Sequence, residues 1–263
     1  MASWEEPPLP RSFDAVFYGA AGSGDDEITD GYTAWYRADD VTRSGNNVTQ
    51  WNDKSGNGIN MTRFDTSLSP QFVSSDSNFN SQPSIDFTAQ TGSTTIRFGT
   101  AGAANSGTGR ANTFTNGQDT FSIFAVFRNS SSQSSYSYSQ IIGDQQGYLH
   151  LSPQSTTLLQ IGNGTLTQSG FSRDTTFASH AFNGATSGSA NLTLKTTGLT
   201  TAVHGSNPTF SSIGAAMVIG GGSVASQYFR GHIAEVIVYP TALTGDDASK
   251  TEDYLADRYN LTW

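Results

Sequence analysis

Short β-rich runs, each closed by turn residues, leave this chain few ways to fold. YTAWYRA (32–38), NVTQWND (47–53), INMTRF (59–64), PSIDF (83–87) and TTIRFG (94–99) come first. TFSIFAVFR (120–128), QIIGD (140–144), GYLHLS (147–152), TLLQIG (157–162) and TTFASHAF (175–182) follow. ANLTLKTTG (190–198), GLTTAVHG (198–205), AMVIGGG (216–222) and FRGHIAEVIVYP (229–240) complete the series. Clusters of Gly, Asn, Asp and Ser separate them, at the spacing of about 8–12 residues expected of a sandwich or barrel. TFSIFAVFR is apolar at odd and even positions alike, which marks a strand covered on both faces. Charge points the same way: Asp, Glu, Lys and Arg make up only 13% of the 263 residues, against about 25% in an ordinary soluble domain. Surface helices draw on Lys, Glu and Arg, so a mainly helical protein is excluded.

One stretch does read as a helix. In 243–261, Ala248, Thr251, Tyr254, Leu255 and Tyr259 fall on one face at helical spacing. Asp246 and Asp247 stand in the first turn, where the helix dipole favours negative charge. Thr244, three residues before Asp247, reads as an N-cap resembling a capping box.

Residues 1–30 differ from the rest. WEEPPLP (4–10) favours extended backbone, and 19–31 is Gly-rich and acidic. The expected division is an N-terminal arm and linker over 1–30 and a β domain over 31–263. Trp4, Leu9, Phe13, Val16, Phe17 and Tyr18 are the arm's apolar anchors for a larger assembly. The opening residues lack the basic start and apolar core of a signal peptide. No apolar run reaches membrane-spanning length. A net charge of −9 argues against neutralising nucleic-acid phosphates. Cysteine is absent, so disulfides, thiolate metal sites and cysteine nucleophiles are excluded.

Two stretches at opposite ends of the domain carry a resemblance. YTAWYRADDVT (32–42) leads into NNVTQWNDKSGNG (46–58), and FRGHIAEVIVYPTALT (229–244) leads into KTEDYLADRYNL (250–261). Together they resemble the concanavalin A-like lectin/glucanase superfamily, in the laminin-G-like branch of bacterial and phage proteins. The resemblance implies an all-β, two-sheet antiparallel jelly-roll sandwich with the arm in front and one C-terminal helix behind. The superfamily includes lectins, glycosidases, adhesion modules and virion proteins, so activity has to be argued from sites.

A glycosidase needs two carboxylates about 5–9.5 Å apart. The five Glu residues, Glu5, Glu6, Glu27, Glu235 and Glu252, form no Glu-x-Asp-x-Glu strand. Glu235 lies mid-strand and reads as a carboxylate satisfied by Arg230 or Arg37. The four His residues are scattered without ligand spacing, and no Gly-x-Ser-x-Gly elbow occurs. No catalytic residue is assigned on this basis, and the chain is expected not to be an enzyme. Trp51–Gly58 reads as architecture: a buried ring beside a turn closed by Asp53 and Ser55, with positive φ at Gly56 and Gly58. Asp39, Asp40 and Asp53 are the candidates for a calcium site, calcium being the one plausible cofactor. Tyr136 and Tyr138, in the polar loop 130–140, are the candidate glycan-binding rings.

The resulting expectation is a non-catalytic structural or adhesion protein on the exterior of a large assembly, most plausibly a phage virion. It would be multimeric there, held to other virion or surface-assembly proteins by its arm, and able to bind host glycans. The alternative is a carbohydrate-binding module of a bacterial surface or secreted protein. A polysaccharide-degrading enzyme is the third reading.

Overall fold

A computed structural model describes residues 28–63, 68–89, 97–100, 120–133, 139–144, 150–153, 155–161, 166–183, 190–205, 217–221 and 228–263. The expected all-β architecture is present. The strands are β1 (Ala34–Arg37), β2 (Val41–Ser44), β3 (Asn47–Trp51), β4 (Met61–Arg63), β5 (Gln71–Val73), β6 (Ser84–Asp86), β7 (Phe98–Thr100), β8 (Phe121–Asn129) and β9 (Ile142–Asp144). They continue as β10 (His150–Pro153), β11 (Leu158–Ile161), β12 (Leu166–Ser169), β13 (Thr176–Asn183), β14 (Ala190–Thr196), β15 (Leu199–Gly205), β16 (Met217–Ile219) and β17 (Gly231–Tyr239). Among the described residues there is one α-helix, α1 (Gly245–Tyr259), together with a single 3-10 turn at Ser77–Phe79.

Every strand pairing is antiparallel, and all seventeen strands join one sheet. One wall runs β15–β14–β13–β8–β17, with β1 and β6 both paired along the far edge of β17. From β6 the sheet passes through β5 to β3, which also pairs β2. It then continues β4–β7–β16–β9–β10–β11–β12 as a second wall. The two ends approach each other, Thr201 Oγ1 of β15 donating to the Ser169 carbonyl of β12 at 3.2 Å. The sheet therefore nearly closes into a barrel.

Two apolar cores result. The larger lies between the walls, around Tyr36, Trp51, Phe98, Phe127, Ile142, Leu151 and Val236. The smaller lies on the opposite face of the first wall, where Trp35, Phe124, Ile237 and Tyr239 meet α1. β8 and β17 pack on both sides, which is why their sequences are apolar at consecutive positions. The helix buries the five residues its periodicity singled out: Ala248, Thr251, Tyr254, Leu255 and Tyr259. Its capping differs from expectation. Thr244 occupies the N-cap position but its side chain makes no cap hydrogen bond. Thr29 fastens this end instead, its Oγ1 donating to the Asp247 carbonyl at 2.6 Å. Ile28 also packs into the smaller core, so contacts with the domain begin within the segment assigned to the linker.

The Trp51–Gly58 turn is built as read. Trp51 is fully buried and donates Nε1 to the Arg37 carbonyl at 2.9 Å. Gly56 and Gly58 hold φ of +81° and +69°, the left-handed region that glycine enters without cost.

Candidate functional site

The second wall presents its inner face to the larger core, and strict alternation dictates what stands on the other face. Trp51, Met61, Phe98, Ile219, Ile142 and Leu151 point inward. Their neighbours therefore stand outward. Cross-strand partners line up in one row across six strands: Thr42, Gln50, Thr62, Gly99, Val218 and Gly143. Ser152, Gln160 and Thr167 extend it over β10, β11 and β12. No Lys, Arg or carboxylate occupies this row. Gly99, Val218 and Gly143, in the middle of the row, are buried, so the accessible part of the row among the described residues is its β2–β4 end. Val218 is buried yet belongs to neither apolar core. Ser152 and Gln160 are buried too, Gln160 Nε2 donating to Ser152 Oγ at 3.2 Å. Thr62 and Thr42 at the other end are exposed.

The exposed end is organised by an amide relay. Gln50 Nε2 donates to Asn52 Oδ1 at 2.7 Å, and Asn52 Nδ2 donates to Asp40 Oδ1 at 2.9 Å. Thr42 Oγ1 approaches the same Asn52 oxygen at 3.4 Å. The relay fixes the amide rotamers and leaves Gln50 Oε1 and the second Asp40 oxygen as acceptors. Arg97, two residues before Gly99, shares the outward side of β7, but the exposed end carries hydroxyls, amides and one oriented carboxylate, which suit a polyhydroxylated ligand.

The other sequence-selected residues have different surroundings. Asp39 accepts from Arg37 Nε at 2.8 Å and from Arg258 Nη2 at 3.2 Å. Both oxygens of Asp53 are committed to the turn. Oδ1 accepts from the Trp35 and Ser55 amides, each at 3.0 Å, and Oδ2 from Ser55 Oγ at 2.7 Å and the Ile59 amide at 3.0 Å. The three aspartates thus serve three separate networks. Among the described residues no cluster of three His, Cys, Asp or Glu side chains is poised to hold a metal. Tyr136, Tyr138 and the six arm residues Trp4, Leu9, Phe13, Val16, Phe17 and Tyr18 lie outside the described residues.

Glu235 has partners other than those expected of it. It is 0% exposed and faces α1, not the larger core. The cause is a register shift in β17 between Ile233 and Glu235, a bulge that resets alternation. Its carboxylate accepts from Trp35 Nε1 at 2.5 Å, Tyr254 OH at 2.9 Å and Tyr259 OH at 2.8 Å. Arg258, not Arg230 or Arg37, is its cation, with Nε at 3.6 Å. Arg230 donates to the carbonyls of Thr88 and Ser132. Burial pushes the Glu235 carboxyl above the usual carboxylate range, against the opposing pull of Arg258 and the three donors. The network pins the helix and offers no open face to a substrate.

A second polar cluster was not anticipated. His232 Nδ1 lies 3.0 Å from Asp76 Oδ2 and 3.1 Å from Ser84 Oγ. Ser, His and Asp in contact suggest a nucleophile relay, but the geometry is wrong for one. Ser84 donates directly to Asp76 at 2.7 Å, and both sit at the same ring nitrogen. The Asp76 carboxyl is held well below its ordinary value: burial acts to raise it, but hydrogen bonds from His232, Ser84 and Asn78 outweigh burial.

No family model matches this chain, and no curated protein does. Solved structures do match its fold. A Trypanosoma rangeli sialidase in complex with sialic acid superposes with TM-score 0.59 at 13% identity, over 88% of this chain and 34% of that one. A GH54 α-L-arabinofuranosidase matches with TM-score 0.56 at 15% identity, over 90% of this chain and 61% of that one. Domain 4 of AbnA, a GH43 arabinanase from Geobacillus stearothermophilus in complex with arabinotriose, matches with TM-score 0.53 at 14% identity, over 84% and 97%. This chain spans about a third of the sialidase's length. At these identities the likeness is one of fold.

These neighbours correct two expectations. The fold is shared with carbohydrate-processing proteins, and nothing supports a virion. The non-catalytic structural or adhesion role on a phage exterior is therefore withdrawn, and so is the exclusion of enzyme activity.

Proposed function

We propose that this chain recognises oligosaccharides as a carbohydrate-processing protein or a domain of one, using the outward face of the second wall. One observation carries the reading: the hydroxyl and amide positions Thr42, Gln50 and Thr62, brought side by side across β2, β3 and β4 by register alone, form the open end of a row with no Lys, Arg or carboxylate among its positions. The amide relay from Gln50 through Asn52 to Asp40 supplies oriented acceptors at its open end. The fold it shares with an arabinanase domain in complex with arabinotriose supports the same ligand class. On this reading the two walls are the sheets of a concanavalin A-like jelly roll.

Affinity electrophoresis and reducing-sugar release against arabinan, xylan, β-glucan and a sialylated glycoprotein test it together. At least one polymer should retard the protein. Thr62→Trp and Gln50→Ala, at exposed and half-buried positions, should abolish retardation while leaving the melting temperature within a few degrees. Sugar release, where found, should fall with Asp40→Asn, the carboxylate that Asn52 holds at the open end of this face. Retention that survives both face substitutions overturns the assignment.

A further inference from the structure

A separate cleft of 280 Å³ opens on the opposite side of the molecule, where the Ser77–Phe79 turn, the β14 terminus and the C-terminal end of α1 meet. Ser77, Asn78, Asn80, Thr196, Thr197 and Asn260 line it. None carries charge, and all six bear a hydroxyl or an amide. Its volume falls just below the usual range of about 300–1,000 Å³ for small-molecule sites, the scale of a single sugar ring.

Hydrogen bonds fix the walls. Thr176 Oγ1 donates to the Asn78 carbonyl at 2.7 Å, and Thr196 Oγ1 donates to the Thr176 carbonyl at 2.7 Å. Asn80 Nδ2 donates to the Arg258 carbonyl at 3.2 Å, joining the turn to the helix end. These bonds consume donors and leave the acceptors Asn80 Oδ1 and Thr196 Oγ1. Among the described residues, the hydroxyls of Ser77 and Thr197 and the amide of Asn260 add groups that both donate and accept. Two of the lining residues, Asn80 and Asn260, hold left-handed backbone at φ 55° and 52°. Asparagine tolerates that region better than most residues but is matched or bettered there by glycine.

We infer that this cleft is a second saccharide subsite, taking one neutral sugar ring through its vicinal hydroxyls. The pattern fits the ligand: each sugar hydroxyl both donates and accepts, and so does the lining, whereas a phosphate or carboxylate ligand would find no cation among the lining residues. Only the ligand class rests on the saccharide reading; the place and the residues are independent of it. The two sites would engage separate stretches of one polymer, so that modest individual affinities multiply.

The double variant Asn80→Gly and Asn260→Gly keeps the left-handed backbone and deletes both amides. The experiment is amide chemical-shift titration of the full chain with L-arabinose, D-xylose, D-glucose and D-galactose. At least one sugar should shift the amides of 77–81, 196–198 and 260, and the double variant should weaken that response about tenfold or more, as expected for losing one or two hydrogen bonds. Thr197→Trp, at an exposed turn position, should occlude the cleft and abolish the response. Absence of any shift there overturns the proposal, as does a response that survives both variants. Shifts confined to the strands bearing Gln50, Thr62 and Val218 would overturn the cleft alone. Shifts confined to the cleft would instead overturn the sheet-face reading.

Discussion

Removing the Glu235 carboxylate tests how the helix is fastened. Three buried donors, Trp35 Nε1, Tyr254 OH and Tyr259 OH, converge on it, with Arg258 at 3.6 Å. Glu235→Ala orphans them, and each orphaned buried donor costs about 1–3 kcal/mol. Rotation of the two tyrosine hydroxyls recovers part, so the net loss should be about 3–5 kcal/mol, the range for breaking a buried charged pair. That is a large share of a stability of about 5–15 kcal/mol. Urea unfolding followed by tryptophan fluorescence reads it as a lowered midpoint at unchanged slope. Glu235→Gln separates charge from shape, because the amide oxygen can still serve Trp35 and the tyrosine hydroxyls can turn to accept. Burial raises the folded-state carboxyl above its unfolded value. The folded protein therefore holds the proton more tightly than the unfolded chain. Wild-type stability should fall, relative to Glu235→Gln, as pH rises from the unfolded carboxylate value through the raised folded one. The slope is at most about 1.4 kcal/mol per pH unit. A wild type that gains on the Gln variant over that range would show that the donors and Arg258 outweigh burial, and would refute the reasoning.

Other perturbations follow from the same contacts. Leu255→Ala, in the helix face against the first wall, should cost about 2–5 kcal/mol by opening a cavity; an unchanged melting curve would mean that α1 is dispensable. Gly231→Ala should misfold or lose several kcal/mol, because the added Cβ would stand 2.2 Å from the Arg128 carbonyl in the facing strand; soluble expression with an unchanged melting temperature would contradict the β8–β17 register. Asp76 is held ionised in the folded state. The stability this contributes is present above the unfolded carboxylate value and is lost as pH falls toward the depressed folded one. Asp76→Asn should therefore lose less stability than the wild type on acidification, and equal loss would place the acid response elsewhere.

Much of the fold was legible because the signals were local. Runs such as TFSIFAVFR and ANLTLKTTG carried their own strand identity, and Ala248 to Tyr259 carried the helical period. β2 (VTRS), β5 (QFV) and β12 (LTQS) were not read, since three or four residues are too few for alternation to register. The partners of Glu235 were not legible either. The bulge after Ile233 turns its side chain toward α1, and no residue type in HIAEVIVY announces a bulge. The outward row was missed for a related reason. Apart from Val218, its residues are ordinary polar or glycine positions in their own strands. They become a surface only through the pairing of segments as far apart as Thr62, Gly99 and Val218. The cleft near Asn80 and Asn260 depends likewise on a helix end meeting a distant turn.

The central claim is that saccharide lies on the outward face of the second wall. Hydrogen–deuterium exchange of the full chain, with and without the polymer that retards it most strongly, addresses this directly. The account predicts slowed exchange in β2, β3 and β4, greatest around Gln50 and Thr62, with β8 and β17 unchanged. Protection that avoids those three strands while the protein remains bound would contradict it.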